Sequence, residues 1–310
     1  MKFAIIGQQD FGKAVLEAFL ARGDQAAAVF CAPEKEGARP DALRAAAQEK
    51  GLKVHQFKSL RDPDATRAMQ AAGADIGIMA FVTQFAPQEF VKIPKHGTIQ
   101  YHPSLLPKYR GPSSINWPII KGDTETGLTI FRPSDGLDEG VIVLQKRTPI
   151  GPDDTLGTVY FNRLFPMGVE ALLEAADLVL AGKHTETVQD ESQASYEGWC
   201  RSAEAKIDWA KPIDQVHNLI RGCNPAPGAW TTLNGKKLQI FDSQKVVFRR
   251  FADVPGKIGE VTGVSAQSFQ VIAQGGLIIV LKARLEDGKK VSGGELVKSG
   301  SVPVGSLLGD

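Results

Sequence analysis

The first hundred residues alternate short apolar runs with stretches of helical composition, and this alternation limits the possible folds more than any other feature. Apolar β-type runs occur at Phe3–Ile6, Ala26–Cys31, Val54–Phe57 and Ile76–Phe81, and helical stretches occur at Gly12–Ala21, Pro40–Lys50 and Asp62–Ala72. Strands that alternate with helices pair in parallel, and right-handed crossovers place the helices on the faces of the sheet. The pattern predicts a doubly wound α/β fold with a parallel sheet, whose ligands bind at the carboxyl ends of the strands.

The second half of the sequence follows a different pattern. A long helix is predicted over Leu156–Gly182, and the polar, aperiodic stretch 184–204 is typical of a linker. Beyond it follow a helix and short β-type runs at Pro212–Arg221, Ala229–Leu233, Lys237–Phe241, Gly259–Thr262, Phe269–Ile272 and Leu277–Ala283. Asn234-Gly235 is a strong hairpin signal. These features predict an N-terminal α/β domain over 1–183, a linker over 184–204 and a smaller OB-like β-barrel domain over 205–310, with a sandwich as the alternative to the barrel.

The net charge and the cysteine spacing exclude several classes of protein. The formal net charge is +1 at pH 7, which gives no global attraction to nucleic acid or to an acidic membrane. Cys31, Cys200 and Cys223 show neither a CxxC pair nor a spacing typical of a disulfide framework or a zinc site. No apolar stretch approaches the roughly 20 residues of a membrane span, and the apolar start of the chain is expected to be a strand. We therefore expect a cytoplasmic protein with no metal and no membrane partner.

Two polar loops carry the candidate chemistry. His102 follows a β-type run and precedes a stretch stiffened by Pro103 and Pro107. Asp138 lies in the acidic, turn-forming stretch Ser134–Gly140, between two further β-type runs. A histidine supported by a carboxylate can stabilise an oxyanion at an acyl centre without a metal or a covalent intermediate. Spacing alone also allows the alternative that His102 is hydrogen bonded for structural reasons only.

The order of the motifs resembles the folate-dependent formyltransferase family. The run His102–Pro107 reads HPSLLP, and Arg110-Gly111, Asn116-Trp117 and Gly136–Gly140 follow it in the family's order. Further similarity continues into the second domain, at Lys206–Trp209, Ile220–Gly222, Asn224-Pro225 and Pro227–Trp230. Segments such as Phe81–Phe85 and Leu285–Lys289 are most similar to the N-terminal hydrolase domain of the 10-formyltetrahydrofolate dehydrogenases, and next to the methionyl-tRNA formyltransferases.

The resemblance implies a Rossmann-like catalytic domain and a set of site residues. It implies that His102 and Asp138 are catalytic and that 10-formyltetrahydrofolate is the formyl donor. It further implies that the backbone around Gln84, Phe85 and Ala86 holds the pterin, and that the folate site is framed by Ser104, Leu105, Leu106, Pro107, Arg110 and Asp138. No NAD is expected, because the turn Gly7–Gly12 lacks the GxGxxG pattern of dinucleotide sites.

Gln100 departs from the family pattern. Most members, including the tRNA-modifying ones, carry Asn two residues before the histidine, where this sequence has Gln100. Gln keeps the amide donor but is longer by one methylene, and a misplaced oxyanion donor costs roughly 10²–10³ in rate. We expect Gln100 to be the third catalytic residue, with an altered reach.

The acceptor of the formyl group separates three hypotheses. Water or a small amine is favoured by the hydrolase-like segments. Methionyl-tRNA is the second candidate; a mildly basic C-terminal part with Lys236, Lys237, Arg249 and Arg250 favours it, whereas Gln100 opposes it. The third hypothesis, of a different class, is a folate-binding protein whose catalysis is impaired by Gln100.

Overall fold

A computed structural model describes residues 1–248 and 256–309, and the chain divides into two units. Unit 1 comprises residues 1–111, 127–148 and 163–196, and unit 2 comprises residues 112–126, 149–162 and the described residues from 197 onward. These units divide the chain differently from the predicted domain extents, which stay a prediction. Residues 184–196, from the stretch interpreted as a linker, belong to unit 1. Arg249 and Arg250 lie outside the described residues.

Unit 1 contains a seven-stranded sheet with the strand order β3-β2-β1-β4-β5-β6-β7. Its strands are β1 (Lys2–Gly7), β2 (Gln25–Cys31), β3 (Val54–Gln56), β4 (Ile76–Ala80), β5 (Thr98–His102), β6 (Glu125–Phe131) and β7 (Ile142–Pro149). The helices up to this point of the chain are α1 (Gln9–Ala21), α2 (Ala42–Glu49), α3 (Pro63–Ala72), α4 (Gln88–Val91) and, within unit 2, α5 (Asn116–Lys121).

The first five strands pair in parallel, which confirms the predicted α/β class. The strand order reverses between β1 and β4, so this sheet has the switch point at which doubly wound folds bind their ligands. The sheet is not parallel throughout, because β6 runs antiparallel to β5, with His102 opposite Thr129. The carboxyl ends of β1, β4 and β5 therefore lie at one edge, and β6 begins at that edge.

Local sequence explains where the short helices begin and end. The Asp41 carboxylate accepts hydrogen bonds from the first backbone N–H groups of α2. In α3, Asp62 caps the N-terminus, Pro63 occupies the first turn, and Gly73 ends the helix in the left-handed conformation with φ of 58°. The Asp-Pro start of α3 is thus the local signal expected of a helix N-terminus, and Asp41 supplies a comparable cap for α2.

The long helix predicted over Leu156–Gly182 is interrupted. The structure has α6 (Leu156–Val159), a π-helical turn at Tyr160–Leu164, and α7 (Phe165–Leu180). Pro166 lies at the start of α7 and has no backbone N–H to donate to the preceding turn. The hydrogen-bond ladder is therefore broken at this point, and the wider π turn accommodates the break.

Unit 2 is built around an antiparallel sheet, which confirms the smaller β domain. Its elements are α8 (Ile213–Gly222), β8 (Ala229–Leu233), β9 (Lys236–Val247), β10 (Val261–Val264), β11 (Phe269–Ala273), β12 (Gly276–Leu285), β13 (Val291–Ser292) and α9 (Gly293–Lys298). The strands follow the order β10-β11-β12-β9-β8, and β13 pairs with β12. Asn234 and Gly235 join β8 to β9 with φ of 51° and 72°, as the hairpin signal predicted.

Asn116 connects two parts of unit 2 and gives a prediction about stability. Its buried side chain donates hydrogen bonds to the backbone oxygens of Gly222 (2.9 Å) and Ala226 (3.2 Å). Asn116→Ala would leave both carbonyls without this donor, so we expect the free energy of unfolding to fall by about 1–3 kcal/mol, measured by urea denaturation. Gln48→Ala, on an exposed position of α2, is the control and should change it by less than about 0.5 kcal/mol. Equal stability of the two variants would contradict this role of Asn116.

Candidate active site

His102 is the last residue of β5, and its imidazole is held between two oxygen atoms. The residue is only 5% exposed. Its Nε2 lies 2.9 Å from the backbone oxygen of Tyr109, and its Nδ1 lies 3.5 Å from Oδ2 of Asp138. Because both ring nitrogens face acceptors, the protonated ring is the form that suits both contacts. The sequence placed His102 and Asp138 in separate loops, and the fold brings them together.

Asp138 is fixed by its own backbone and by a backbone donor. It has φ of 56°, in the left-handed region that only a few non-glycine residues adopt, Asp among them. Its Oδ2 accepts a 2.8 Å hydrogen bond from the N–H of Gly111. Tyr109, whose carbonyl faces His102, also has a positive φ of 59°. Strained backbone at two residues around one imidazole is typical of a functional site.

A network of side chains, in which Gln189 and Arg110 are buried and Glu191 is exposed, holds the Asp138 loop. Gln189 donates from Nε2 to the backbone oxygens of Asp138 and Gly140, both at 2.8 Å. Its Oε1 accepts from Nε and Nη2 of Arg110 at 3.2 and 2.8 Å. Arg110 also makes a two-point contact with Glu191, at 3.0 and 2.6 Å. Hydrogen bonding to Glu191 raises the pKa of Arg110 above its ordinary value, so the guanidinium is a permanent charge here.

The loop after His102 is held by the neighbouring strands β6 and β7. The Thr129 hydroxyl donates to the backbone oxygen of Ser104 (2.7 Å) and accepts from the N–H of Leu106 (3.1 Å). Gln145 donates to the backbone oxygen of Leu106 at 2.7 Å. The Ser104 hydroxyl donates to the backbone oxygen of Lys108 at 2.7 Å. These bonds fix the segment Ser104–Pro107 beside His102.

The segment predicted to hold the pterin lies beyond the end of β4, the strand next to β5. Gln84 donates from Nε2 to the backbone oxygen of Phe57 at 2.7 Å. Phe85 is 45% exposed, with the Arg61 guanidinium 4.6 Å from its ring centre, and Ala86 is buried. Within the residues that the structure describes, this side-chain hydrogen bond of Gln84 goes to Phe57 and not to His102 or Asp138. The pterin role of Gln84, Phe85 and Ala86 stays a prediction.

Gln100 lies within β5, between β4 and β6 in the sheet. Its backbone neighbours are Met79 and Phe131. Its side-chain amide is half-buried and makes no hydrogen bond within the part of the chain that the structure describes. Such an amide can still donate to a bound group.

Sequence reasoning missed three residues that shape this site. Thr129 and Gln145 are ordinary strand residues in the sequence, and Gln189 lies in the polar stretch that was interpreted as a linker. Gln189 is 5% exposed, which is unusual for a residue of this type. The local pattern around it gave no signal of burial.

The folate-binding role predicted for Arg110 also stays a prediction. The contacts of its guanidinium in the structure go to Gln189, to Glu191 and, at 3.8 Å, to Glu139.

Comparisons with known proteins agree with this fold and these motifs. The family model described as "Formyl transferase" matches residues 1–176, and the one described as "Formyl transferase, C-terminal domain" matches residues 200–300. The mitochondrial 10-formyltetrahydrofolate dehydrogenase of Mus musculus is 35% identical over 100% of this chain and 34% of its own length. The chain thus spans about a third of that relative. The methionyl-tRNA formyltransferase of Geotalea uraniireducens is 32% identical over 100% of this chain and 98% of its own length.

A solved structure shares the fold. HypX from Aquifex aeolicus in complex with tetrahydrofolic acid superposes with a TM-score of 0.65 at 20% identity, covering 96% of this chain and 47% of that chain. In the residues that the structure describes, no helix is both long and apolar enough to cross a bilayer.

Proposed function

The chain belongs to the formyl transferase family and is an enzyme of the formyltransferase type, and on this premise we propose that it moves the formyl group of 10-formyltetrahydrofolate to water or a small amine through His102 and Asp138. The observation that carries the proposal is the buried imidazole of His102 between the Tyr109 carbonyl and the Asp138 carboxylate. We further propose that the reaction takes place in the cytoplasm.

In the proposed mechanism, His102 acts as a cation. Its Nε2–H donates to the Tyr109 carbonyl, which fixes the ring. The 3.5 Å between Nδ1 and Asp138 is longer than a good hydrogen bond, so the Nδ1–H is available to donate to the oxygen of the formyl group without movement of the ring. As the acceptor attacks the formyl carbon, that oxygen becomes an oxyanion, and a fixed donor with a positive charge stabilises it.

Asp138 takes the proton of the acceptor in this scheme. The acceptor, an amine or a water molecule, forms a bond to the formyl carbon and gives up one proton to the carboxylate. Collapse of the tetrahedral intermediate then breaks the bond between the formyl carbon and N10. N10 takes up the proton that Asp138 received, so that tetrahydrofolate leaves and the carboxylate is restored. The hydrogen bond from the Gly111 N–H keeps Oδ2 in position throughout.

We assign Gln100 a smaller share of the oxyanion stabilisation. Its amide can donate, but the arm is one methylene longer than that of the family's Asn. We therefore expect Gln100→Met to lower kcat about tenfold with little change in KM, less than the roughly 10²–10³ of an ideally placed donor. Steady-state kinetics of the purified variant measures this. An unchanged kcat would remove Gln100 from the mechanism.

The variant Gln100→Asn distinguishes this mechanism from a folate-binding protein with impaired catalysis. If the wild-type chain binds 10-formyltetrahydrofolate without turnover and Gln100→Asn turns it over, the binding hypothesis is correct. Turnover by the wild-type chain supports the enzyme hypothesis.

The acceptor can be identified by measuring how fast the purified protein releases tetrahydrofolate from 10-formyltetrahydrofolate. The rate is measured with the protein alone and with charged initiator methionyl-tRNA. We expect release without tRNA, lost in His102→Ala. The second candidate is methionyl-tRNA, and the specific observation in its favour is the near full-length match to a methionyl-tRNA formyltransferase. Release only with tRNA, with formyl on the methionine, would replace water or a small amine by this acceptor.

A further inference from the structure

Unit 2 brings two thiols into contact that are 23 positions apart in the sequence. Sγ of Cys200 lies 3.7 Å from Sγ of Cys223, and both residues are buried. The third cysteine, Cys31, ends β2 in the sheet of unit 1. From the contact between the sulfur atoms we propose that Cys200 and Cys223 are an oxidation site, at which a peroxide converts the two thiols into a disulfide.

The backbone around both cysteines is held by hydrogen bonds. The N–H of Cys223 donates to the Leu219 oxygen at the end of α8, and its carbonyl accepts from the N–H of Gly228 at 2.8 Å. The N–H of Cys200 donates to the Ser113 hydroxyl at 3.1 Å. A disulfide needs a sulfur–sulfur distance of about 2.05 Å, so the two atoms must approach by roughly 1.6 Å. Cys200 lies outside the helices and strands, where a small shift of this kind disturbs no regular hydrogen bonds.

The two thiols differ in reactivity. The hydrogen bond between the two thiols lowers the pKa of Cys200, and the same bond together with burial raises the pKa of Cys223. A thiolate is the form that attacks peroxides, so Cys200 is the nucleophile of the pair. Its neighbours Trp199 and Arg201 are exposed, so a brief opening of this surface segment admits a molecule as small as hydrogen peroxide. Burial raises the pKa of Cys31 to about 12, which makes that thiol unreactive.

The chemistry balances with one equivalent of peroxide. The Cys200 thiolate attacks one peroxide oxygen and breaks the O–O bond, giving a sulfenic acid and, after uptake of a proton, one water molecule. The Cys223 sulfur then attacks the sulfenic sulfur and displaces the hydroxyl group as a second water molecule. The two thiols lose two protons and two electrons, and hydrogen peroxide accepts them.

Peptide mapping of the oxidised protein tests the proposal. The full chain is reduced, treated with a small excess of hydrogen peroxide, alkylated and digested with trypsin without reductant. Cleavage after Lys and Arg places Cys200 in peptide 184–201, Cys223 in peptide 222–236 and Cys31 in peptide 23–35. We expect peptides 184–201 and 222–236 to be linked, the intact mass to fall by two hydrogen atoms, and dithiothreitol to reverse both changes. Peptide 23–35 should stay alkylated.

Three results would overturn the inference. These are full alkylation of both peptides after oxidation, a sulfinic or sulfonic acid on Cys200 with Cys223 still free, or a link that involves Cys31. The wild-type chain suffices for this experiment, so it does not depend on the folding of a variant. It is also independent of the proposed formyl transfer, because no step of it uses the folate.

Matched serine variants assign the order of the two steps. In Cys223→Ser the sulfenic acid on Cys200 has no thiol to react with, so we expect it to accumulate and to be trapped by dimedone, whereas the wild-type chain gives little adduct. In Cys31→Ser the link between Cys200 and Cys223 should form as before. Dimedone labelling on Cys223 in the Cys200→Ser variant, with none on Cys200 in Cys223→Ser, would reverse the assigned nucleophile.

Discussion

His102→Ala is expected to lower kcat for tetrahydrofolate release by roughly 10³-fold, because the variant loses both the cation beside the oxyanion and the Nδ1 donor. Asp138→Asn should cost a similar factor, since the amide keeps the shape of the side chain but cannot take a proton. The amide oxygen in this variant can still accept from the Gly111 N–H, so the loop should keep its position. Stopped-flow or steady-state assays with 10-formyltetrahydrofolate measure both effects.

The control for these variants is Asp135→Asn. Asp135 lies three residues before Asp138 in the same loop, but its side chain is exposed. We expect this variant to keep kcat within about twofold, as substitutions at exposed sites usually do. If His102→Ala and Asp138→Asn also keep their activity while remaining folded by circular dichroism, the proposed mechanism is wrong.

Gln189→Met is expected to lower kcat by about 10²-fold with KM for the folate nearly unchanged. Methionine fills the same space, but it removes the donors to the Asp138 and Gly140 carbonyls and the acceptor for Arg110. A buried polar group left without its partner costs about 1–3 kcal/mol, and each 1.4 kcal/mol on the barrier is about tenfold in rate. Because the lost bonds hold the backbone of Asp138, the effect should fall on kcat.

The same substitution four residues later is the matched control. Gln193 follows in the same segment, and its exposed amide donates to the nearby Asp190 carboxylate at 3.2 Å. Gln193→Met should therefore leave kcat and the melting temperature nearly unchanged. The variant Gln189→Glu separates the two kinds of hydrogen bond. The new carboxylate still accepts from Arg110 but cannot donate to the carbonyls of Asp138 and Gly140. A Gln189→Met variant that loses only stability, with kcat intact, would show that Gln189 does not position Asp138 for catalysis.

The sequence predicted the elements of the fold where local signals were strong. The alternation of apolar runs and helical stretches predicted β1 to β4 and the helices α1 to α3 between them, and Asp41 and Asp62 cap two of these helices within one residue of the predicted starts. The antiparallel β6 was not predicted, because an apolar run reads the same in either direction. The helical stretch after Thr155 was predicted, but its π turn was not, since the effect of Pro166 on the hydrogen bonds of the helix was not considered.

Some residues of the candidate site could be predicted from the sequence, and others could not. His102, Asp138 and Arg110 could be found because they belong to motifs whose order resembles that of the formyltransferase family. Gln189 could not, since its partners Asp138 and Arg110 are 51 and 79 positions away in the sequence and the segment around it is polar and aperiodic. The boundary of unit 1 near residue 196 reflects the same long-range bonds, whereas composition alone suggested a linker from 184.

The sequence by itself determined the class of fold and the order of its elements, because periodicity and turn residues act over a few positions. The two motifs that carry the candidate chemistry were identified by their resemblance to the formyltransferase family. Only the tertiary structure decided that His102 faces Asp138, that Gln189 holds the Asp138 loop, and that Cys200 touches Cys223. Those contacts depend on how distant segments pack, and no local pattern encodes the distance between two side chains that meet only after folding.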